Sequence, residues 1–139
     1  LVVEADKQRF ETALTNINTF LDSLDVEIAD RKTERVCGYA TGPWGDVQGT
    51  LRCKVTVSGK LQDIDNKDII ARLDSNKDIL AWTDTKSGLD QGTIGNTLYA
   101  YEGVLDGLSC YGVLEDTYDI DYDCASSSEY QHYPRADRR

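Results

Sequence analysis

The sequence predicts an α+β domain: a long N-terminal amphipathic helix packed on an antiparallel β-sheet, held by two disulfides. Three observations lead there. Apolar residues recur at helical spacing over residues 2–30. From residue 35 onward the pattern changes to the alternation of half-buried strands. Four cysteines fall as two local pairs, Cys37/Cys53 and Cys110/Cys124, each inside a segment with the form of a hairpin. At 139 residues the chain has the size of one domain and can bury a core. We place that domain at 1–125, with 126–139 as a flexible tail.

The helix comes first. Phe10, Ala13, Leu14, Ile17, Phe20, Leu21, Leu24 and Ile28 form one apolar stripe. Glu4, Lys7, Gln8, Glu11, Thr15, Asn18, Asp22 and Asp25 occupy the other face, and no Gly or Pro interrupts before Gly38. The stripe serves either the domain's own core or assembly with a partner.

The sheet follows. Leu51, Cys53, Val55 and Val57 alternate with Arg52, Lys54 and Thr56. Residues 97–105 and 108–114 make two further strands, the first rich in Tyr. Residues 117–125 alternate most cleanly: Tyr118, Ile120, Tyr122 and Cys124 on one face, Asp119, Asp121 and Asp123 on the other. Between these groups, 65–84 is expected to form a short helix and then a strand or second short helix. Residues 85–97, with Gly88, Gly92 and Gly95, have the composition of a flexible loop.

The cysteines speak for disulfides. There is no Cys-x-x-Cys knuckle for zinc or for redox chemistry, and the chain has one histidine, His132. A turn at Gly42-Pro43-Trp44-Gly45 would bring Cys37 opposite Cys53, and one near Glu115-Asp116-Thr117 would bring Cys110 opposite Cys124. Each bridge then closes a loop of roughly 15 residues, worth about 3 kcal/mol in the chain-entropy model. The crossed pairings stay open, since four cysteines allow three connectivities. Disulfides point to a secreted or cell-surface location. The absence of Met from the sequence fits a processed chain with its leader upstream, and Arg138-Arg139 has the form of a dibasic processing end.

Several groups are candidates for binding. Asp74, Asn76 and Asp78 have the spacing that opens a calcium loop. The glycine such a loop needs next is Ile79, and Thr85 stands where it needs glutamate. The same segment echoes itself, Asp65-Asn66-Lys67-Asp68-Ile69 and Ser75-Asn76-Lys77-Asp78-Ile79, which helix caps at Asp65 and Ser75 would explain without a metal. The aspartates 119, 121 and 123 lie about 7 Å apart along one strand face and suit a cation or a basic partner. They also suit a plain solvent face that resists edge pairing. Trp44, at its expected hairpin tip, is either an exposed anchor or folded back on the sheet.

Other classes are disfavoured. With 25 acidic against 15 basic residues the net charge is −10, which opposes nucleic acid and anionic membranes. No apolar run reaches the roughly 18 residues of a membrane span. No phosphate loop or dinucleotide motif occurs, and a catalytic triad would have to use His132 in the tail. No catalytic residue is assigned, and no cofactor is expected apart from calcium.

Ala5-Asp6-Lys7-Gln8-Arg9, followed by Ala13-Leu14, Ile17 and Phe20-Leu21, resembles the soluble half of the first helix in type IV pilins and pseudopilins. The resemblance covers about 25 residues and the general layout. It implies a helix used for assembly, a sheet as exposed head, and a C-terminal disulfide that Cys110 and Cys124 would match. The membrane-inserted half of a pilin helix does not occur in this sequence. A looser likeness, in cysteine content and dibasic end, is to small secreted fungal effectors and killer toxins. The expected function is an extracellular, non-catalytic binding or assembly module with a protein partner or self-assembly through the helix. The alternatives are a secreted effector acting on a host or competitor, and a calcium-binding secreted domain.

Overall fold

The computed structural model describes residues 4–41, 47–88 and 96–126, with side chains for 7–36, 53–87 and 96–126. Helix α1 spans Glu4–Ser23 and is followed by strands β1, Ile28–Thr41, and β2, Val47–Leu61. Helix α2, Asn66–Asn76, runs into a 3-10 turn, Lys77–Leu80. Strands β3, Thr83–Gly88, β4, Thr97–Leu105, β5, Leu108–Glu115, and β6, Asp119–Ser126, are the remaining elements among the described residues. The six strands form one antiparallel sheet in the order β1-β2-β6-β5-β4-β3.

This architecture corrects the expected one. The long helix over 2–30 is a shorter helix that stops at Ser23, and Ile28 belongs instead to β1, opposite Leu61. Two features end the helix. Asp25 takes a left-handed backbone, φ 53°, which turns the chain out of the helix. Arg72, from α2, donates through Nη1 to the carbonyls of Leu24 (2.9 Å) and Asp25 (2.8 Å), satisfying groups the helix leaves open. The sheet is the dominant element, and two short helices share one of its faces. β3 also occupies the start of the expected loop over 85–97.

The two-disulfide expectation is corrected as well. One disulfide is described with both its cysteines, Cys110–Cys124, which face each other across β5 and β6. Cys53 is disulfide-bonded and stands opposite Cys37 in the backbone register. The Cys37 side chain and the expected turn at 42–45 lie outside the described residues.

Alternation assigns the two sheet faces. Val55 and Val57 on β2, Ile120, Tyr122 and Cys124 on β6, Leu108, Cys110 and Leu114 on β5, and Tyr99, Tyr101 and Leu105 on β4 are all buried. From the helices, Phe10, Ala13, Leu14, Ile17, Phe20, Leu21, Leu24, Ile69, Leu73 and Leu80 complete the same core. Asn16 ties α1 to the 3-10 turn by donating to the Leu80 carbonyl at 3.1 Å. The start of α2 is capped by Asp65, whose carboxylate accepts from the Asp68 N–H at 2.9 Å. Ser75, the second expected cap, lies within α2.

Aromatic rings occupy the middle of the core. The Tyr122 ring centroid is 5.1 Å from Phe20 and 6.0 Å from Trp82, and Trp82 stacks on Tyr101 at 5.5 Å. This is possible because Gly112, opposite Tyr122 in the register, has no side chain. A Cβ built there would collide with the Tyr122 ring itself, at Cε2, Cδ2 and Cζ. At the far end of β6, the buried Ser126 hydroxyl accepts from the Cys53 N–H (3.0 Å) and donates to the Cys53 carbonyl (3.3 Å).

Two substitutions test this account. Gly112→Ala should lower stability by about 2–3 kcal/mol, the cost of overpacking a filled core, seen as a lower urea midpoint. A change below about 0.5 kcal/mol, the scale of ordinary surface substitutions, would contradict the ring-on-glycine packing. Arg72→Ala should cost about 1 kcal/mol and lower the melting temperature by removing the hydrogen bonds at the end of α1.

Candidate functional site

With the helices gathered on one face, the other face of the sheet is left uncovered by any described element. Alternation sends Asp119, Asp121 and Asp123 to this face. The register then brings their neighbours: Lys60 opposite Asp119, Ser58 opposite Asp121 and Thr56 opposite Asp123 on β2. On β5, Val113 faces Asp121 and Tyr111 faces Asp123. One step further out, Glu34 on β1 is opposite Thr56, and Glu102 on β4 is opposite Tyr111.

The charges are unevenly matched. The Lys60 ammonium is 3.9 Å from Asp119, and that of Lys54 is 3.8 Å from Asp123. Both lysines are about half exposed, so each pair contributes little to stability. Asp119 accepts from the Thr117 hydroxyl at 2.6 Å. Asp121 is different: its Oδ1 is buried with no hydrogen-bond partner among the described residues. A carboxylate oxygen removed from water in this way is costly while charged.

Burial therefore governs the ionisation here. It raises the Asp123 carboxyl to about 6, with Lys54 pulling the other way and Asp121 adding to the rise. It raises Asp121 also, opposed by Lys54 and reinforced by Glu34. The Tyr111 phenol moves up through burial first and then through Glu102, Glu115 and Asp123. At the end of the row a shallow cleft of about 530 Å³ opens between Asp30, Lys60, Val113, Glu115, Asp119 and Asp121. Asp30 reaches it from the interruption of the β1–β2 ladder between Ala29 and Lys32, where its own φ is 55°.

The other sequence candidates are not gathered in this way. Asp74 and Asn76 lie in the last turn of α2 and Asp78 in the 3-10 turn, so helical geometry spreads their side chains instead of curling them round one ion. Asp74 accepts from Lys77 (2.8 Å) and the Tyr99 hydroxyl (3.1 Å). Asn76 donates back to the Arg72 carbonyl at 2.9 Å. The Lys77 hydrogen bond lowers the Asp74 carboxyl and Asp74 raises Lys77, so this is an ion pair on a helix end. Tyr99 is raised by burial and by Asp74. Among the described residues no three acidic, His or Cys side chains form a metal cluster. Trp44 and His132 lie outside the described residues.

Sequence reasoning found the aspartate row but not its setting. Lys54, Lys60, Tyr111 and Asp30 carry no motif, and they meet the row only through strand order. The signal available was the polar alternation Lys54, Thr56, Ser58, Lys60, which marks the same face on β2. No helix among the described residues is long and apolar enough to cross a membrane. Comparison of the chain with protein-family models, curated proteins and solved structures finds no match.

The Asp123 carboxyl yields a pH prediction. Its folded value, about 6, lies above its ordinary value of 3.8. The fold therefore favours the protonated form. That contribution is fully present below pH 3.8 and is lost as pH rises through about 6. Asp123→Asn, which keeps the shape without the charge, should stabilise the protein by about 1–2 kcal/mol at pH 7.5 after allowance for solvent screening. It should also flatten the stability profile between those two pH values. Urea midpoints measured across that range check both; a destabilised variant with an unchanged profile would refute the burial argument.

Proposed function

We propose that this chain is an extracellular, non-catalytic binding module that engages a basic protein or peptide through the uncovered face of its sheet. One observation carries the reading: the aspartate row sits on the face left free by both helices, Asp121 and Asp123 are partly withdrawn from water, and Asp121 has an oxygen with no hydrogen-bond partner among the described residues. A cationic side chain laid on this row would supply the missing partner. It would also favour the charged forms of Asp121 and Asp123, so binding and ionisation would reinforce each other. The net charge of −10 favours the approach of such a partner.

The extracellular assignment rests on oxidised cysteines. Cys110 and Cys124 are joined, Cys53 is disulfide-bonded, and none of the described cysteines is free. Such bonds persist in oxidising compartments. Assembly through α1, which the pilin resemblance implies, would have to use the polar side of the helix. The stripe from Phe10 to Leu24 is buried in the chain's own core. Arg31 and Arg35 already occupy part of the polar side, holding Asp22 (2.7 Å) and Glu11 (2.9 Å). The sheet face is the better recognition surface.

Titration calorimetry with a lysine-rich peptide and a glutamate-rich peptide of equal length tests this. The lysine-rich peptide should bind at pH 7.5 in low salt, and binding should weaken as pH falls through about 6, the Asp123 value. Asp121→Asn with Asp123→Asn should reduce affinity about tenfold. Asp68→Asn with Asp78→Asn, away from the face, should leave it unchanged. Equal losses from both double variants would mean that overall charge, not this face, attracts the peptide, and would sink the proposal.

A further inference from the structure

We propose, resting on the basic-partner reading above, that the cation this face selects is an arginine side chain, stacked on the ring of Tyr111 between Asp123 and Glu102. Strand order puts the ring there. β5 lies between β6 and β4. The register sets Tyr111 opposite Asp123 on one side and opposite Glu102 on the other. Tyr99, Tyr101 and Tyr122 are buried on the helix side. Of the tyrosines in β4, β5 and β6, Tyr111 alone stands on the uncovered face. It is half-buried, and the next residues on the same face of β5, Ser109 and Val113, are both shorter side chains.

Carboxylates approach this ring from both neighbouring strands. After burial, the charges that raise the Tyr111 phenol are those of Glu102, Glu115 and Asp123. The Asp123 side chain is 19% exposed, enough for contact but little for hydration. Asp123 and Glu102 stand on strands two spacings apart, about 10 Å.

That setting distinguishes the two basic side chains. A lysine ammonium is a compact, strongly hydrated point charge, and it serves one carboxylate while keeping its water. A guanidinium is planar and more weakly hydrated, so it sheds water at lower cost on reaching a withdrawn carboxylate such as Asp123. Its face lies on an aromatic ring while the N–H groups around its rim point outward. Tyr111 offers the ring, and its two cross-strand neighbours offer acceptors on opposite sides of it. An arginine uses all three groups at once.

The chain's own cations stand at the margins. Lys54 is 3.8 Å from Asp123 with about half of its side chain exposed. Lys86 is exposed and lies opposite Glu102 in the register. Lys54 belongs to β2 and Lys86 to β3, each two strands from Tyr111. Exposed charges of this kind bind their partners weakly and give way to a better-placed cation.

Titration calorimetry in low salt tests the proposal, with two peptides of equal length and charge that carry lysine or arginine at the same positions. The arginine peptide should bind the unaltered protein about tenfold tighter. Tyr111→Leu should bring the two affinities within about twofold of each other, by weakening the arginine peptide and leaving the lysine peptide unchanged. Tyr111→Phe keeps the ring without its hydroxyl and should retain the preference. Glu102→Gln should weaken the arginine peptide about threefold and the lysine peptide less. Melting temperatures establish that each variant is folded, and Glu102→Gln carries the same test where Tyr111→Leu does not fold. Equal affinity of both peptides for the unaltered protein overturns the arginine assignment while the basic-partner reading stands. So does a preference that survives Tyr111→Leu, or an equal loss of both peptides in Glu102→Gln. If neither peptide binds, the basic-partner reading fails and the arginine assignment with it.

Discussion

The rest of the structure depends on the Tyr122 ring lying over Gly112. Tyr122 is the largest fully buried side chain among the described residues, and it stands on the strand that pairs β2 on one side and β5 on the other. The missing side chain at Gly112 lets the ring lie flat enough to touch Phe20 of α1 and to approach Trp82 at the entry to β3. Tyr122 thereby joins Phe20 of α1, Trp82 and Tyr101 of β4 in one aromatic cluster. A ring laid on a bare glycine opposite it also pins register, since a slip by one residue would send the ring to the other face.

The same pleat decides what lies on the far side. Once Ile120, Tyr122 and Cys124 are fixed inward, Asp119, Asp121 and Asp123 have nowhere to go but the uncovered face. Their cross-strand neighbours there come from β2 and β5: Lys60, Ser58 and Thr56 on one side, Val113 and Tyr111 on the other. Sequence alternation made the row visible, because period-2 patterning is a local property of one strand. It could not show the lysines and the tyrosine around it. These come from strands distant in sequence and meet the row only because β6 inserts between β2 and β5.

Elsewhere the aspartates carried less chemistry than their number suggests. Asp25, Asp30, Asp63, Asp84 and Asp106 all take positive φ, a backbone state that aspartate tolerates better than most residues. These residues serve backbone turns and bulges, and a count of acidic residues cannot separate such positions from ligands. The calcium spacing at Asp74, Asn76 and Asp78 misleads for a related reason. A spacing pattern presumes a loop, whereas the Ile69 and Leu73 contacts hold this segment in a helix. The end of α1 is not legible in the sequence because apolar spacing continues to Ile28, and Arg72, which binds the carbonyls of Leu24 and Asp25, lies far along the chain.

The proposed binding surface follows from how completely the helix side has been used. Every apolar side chain of the α1 stripe goes into the core, and Arg31 and Arg35 take up carboxylates on its flank. A partner arriving from that side would have to displace contacts already made. The uncovered face bears no such cost. Lys32 and Glu34 on β1 share that face with the aspartate row, and Glu34 contributes to the rise at Asp121. A cationic side chain laid against Glu34 would partly neutralise that neighbour. Asp121 would then ionise more readily, so a partner's first contact would ready the row for its next.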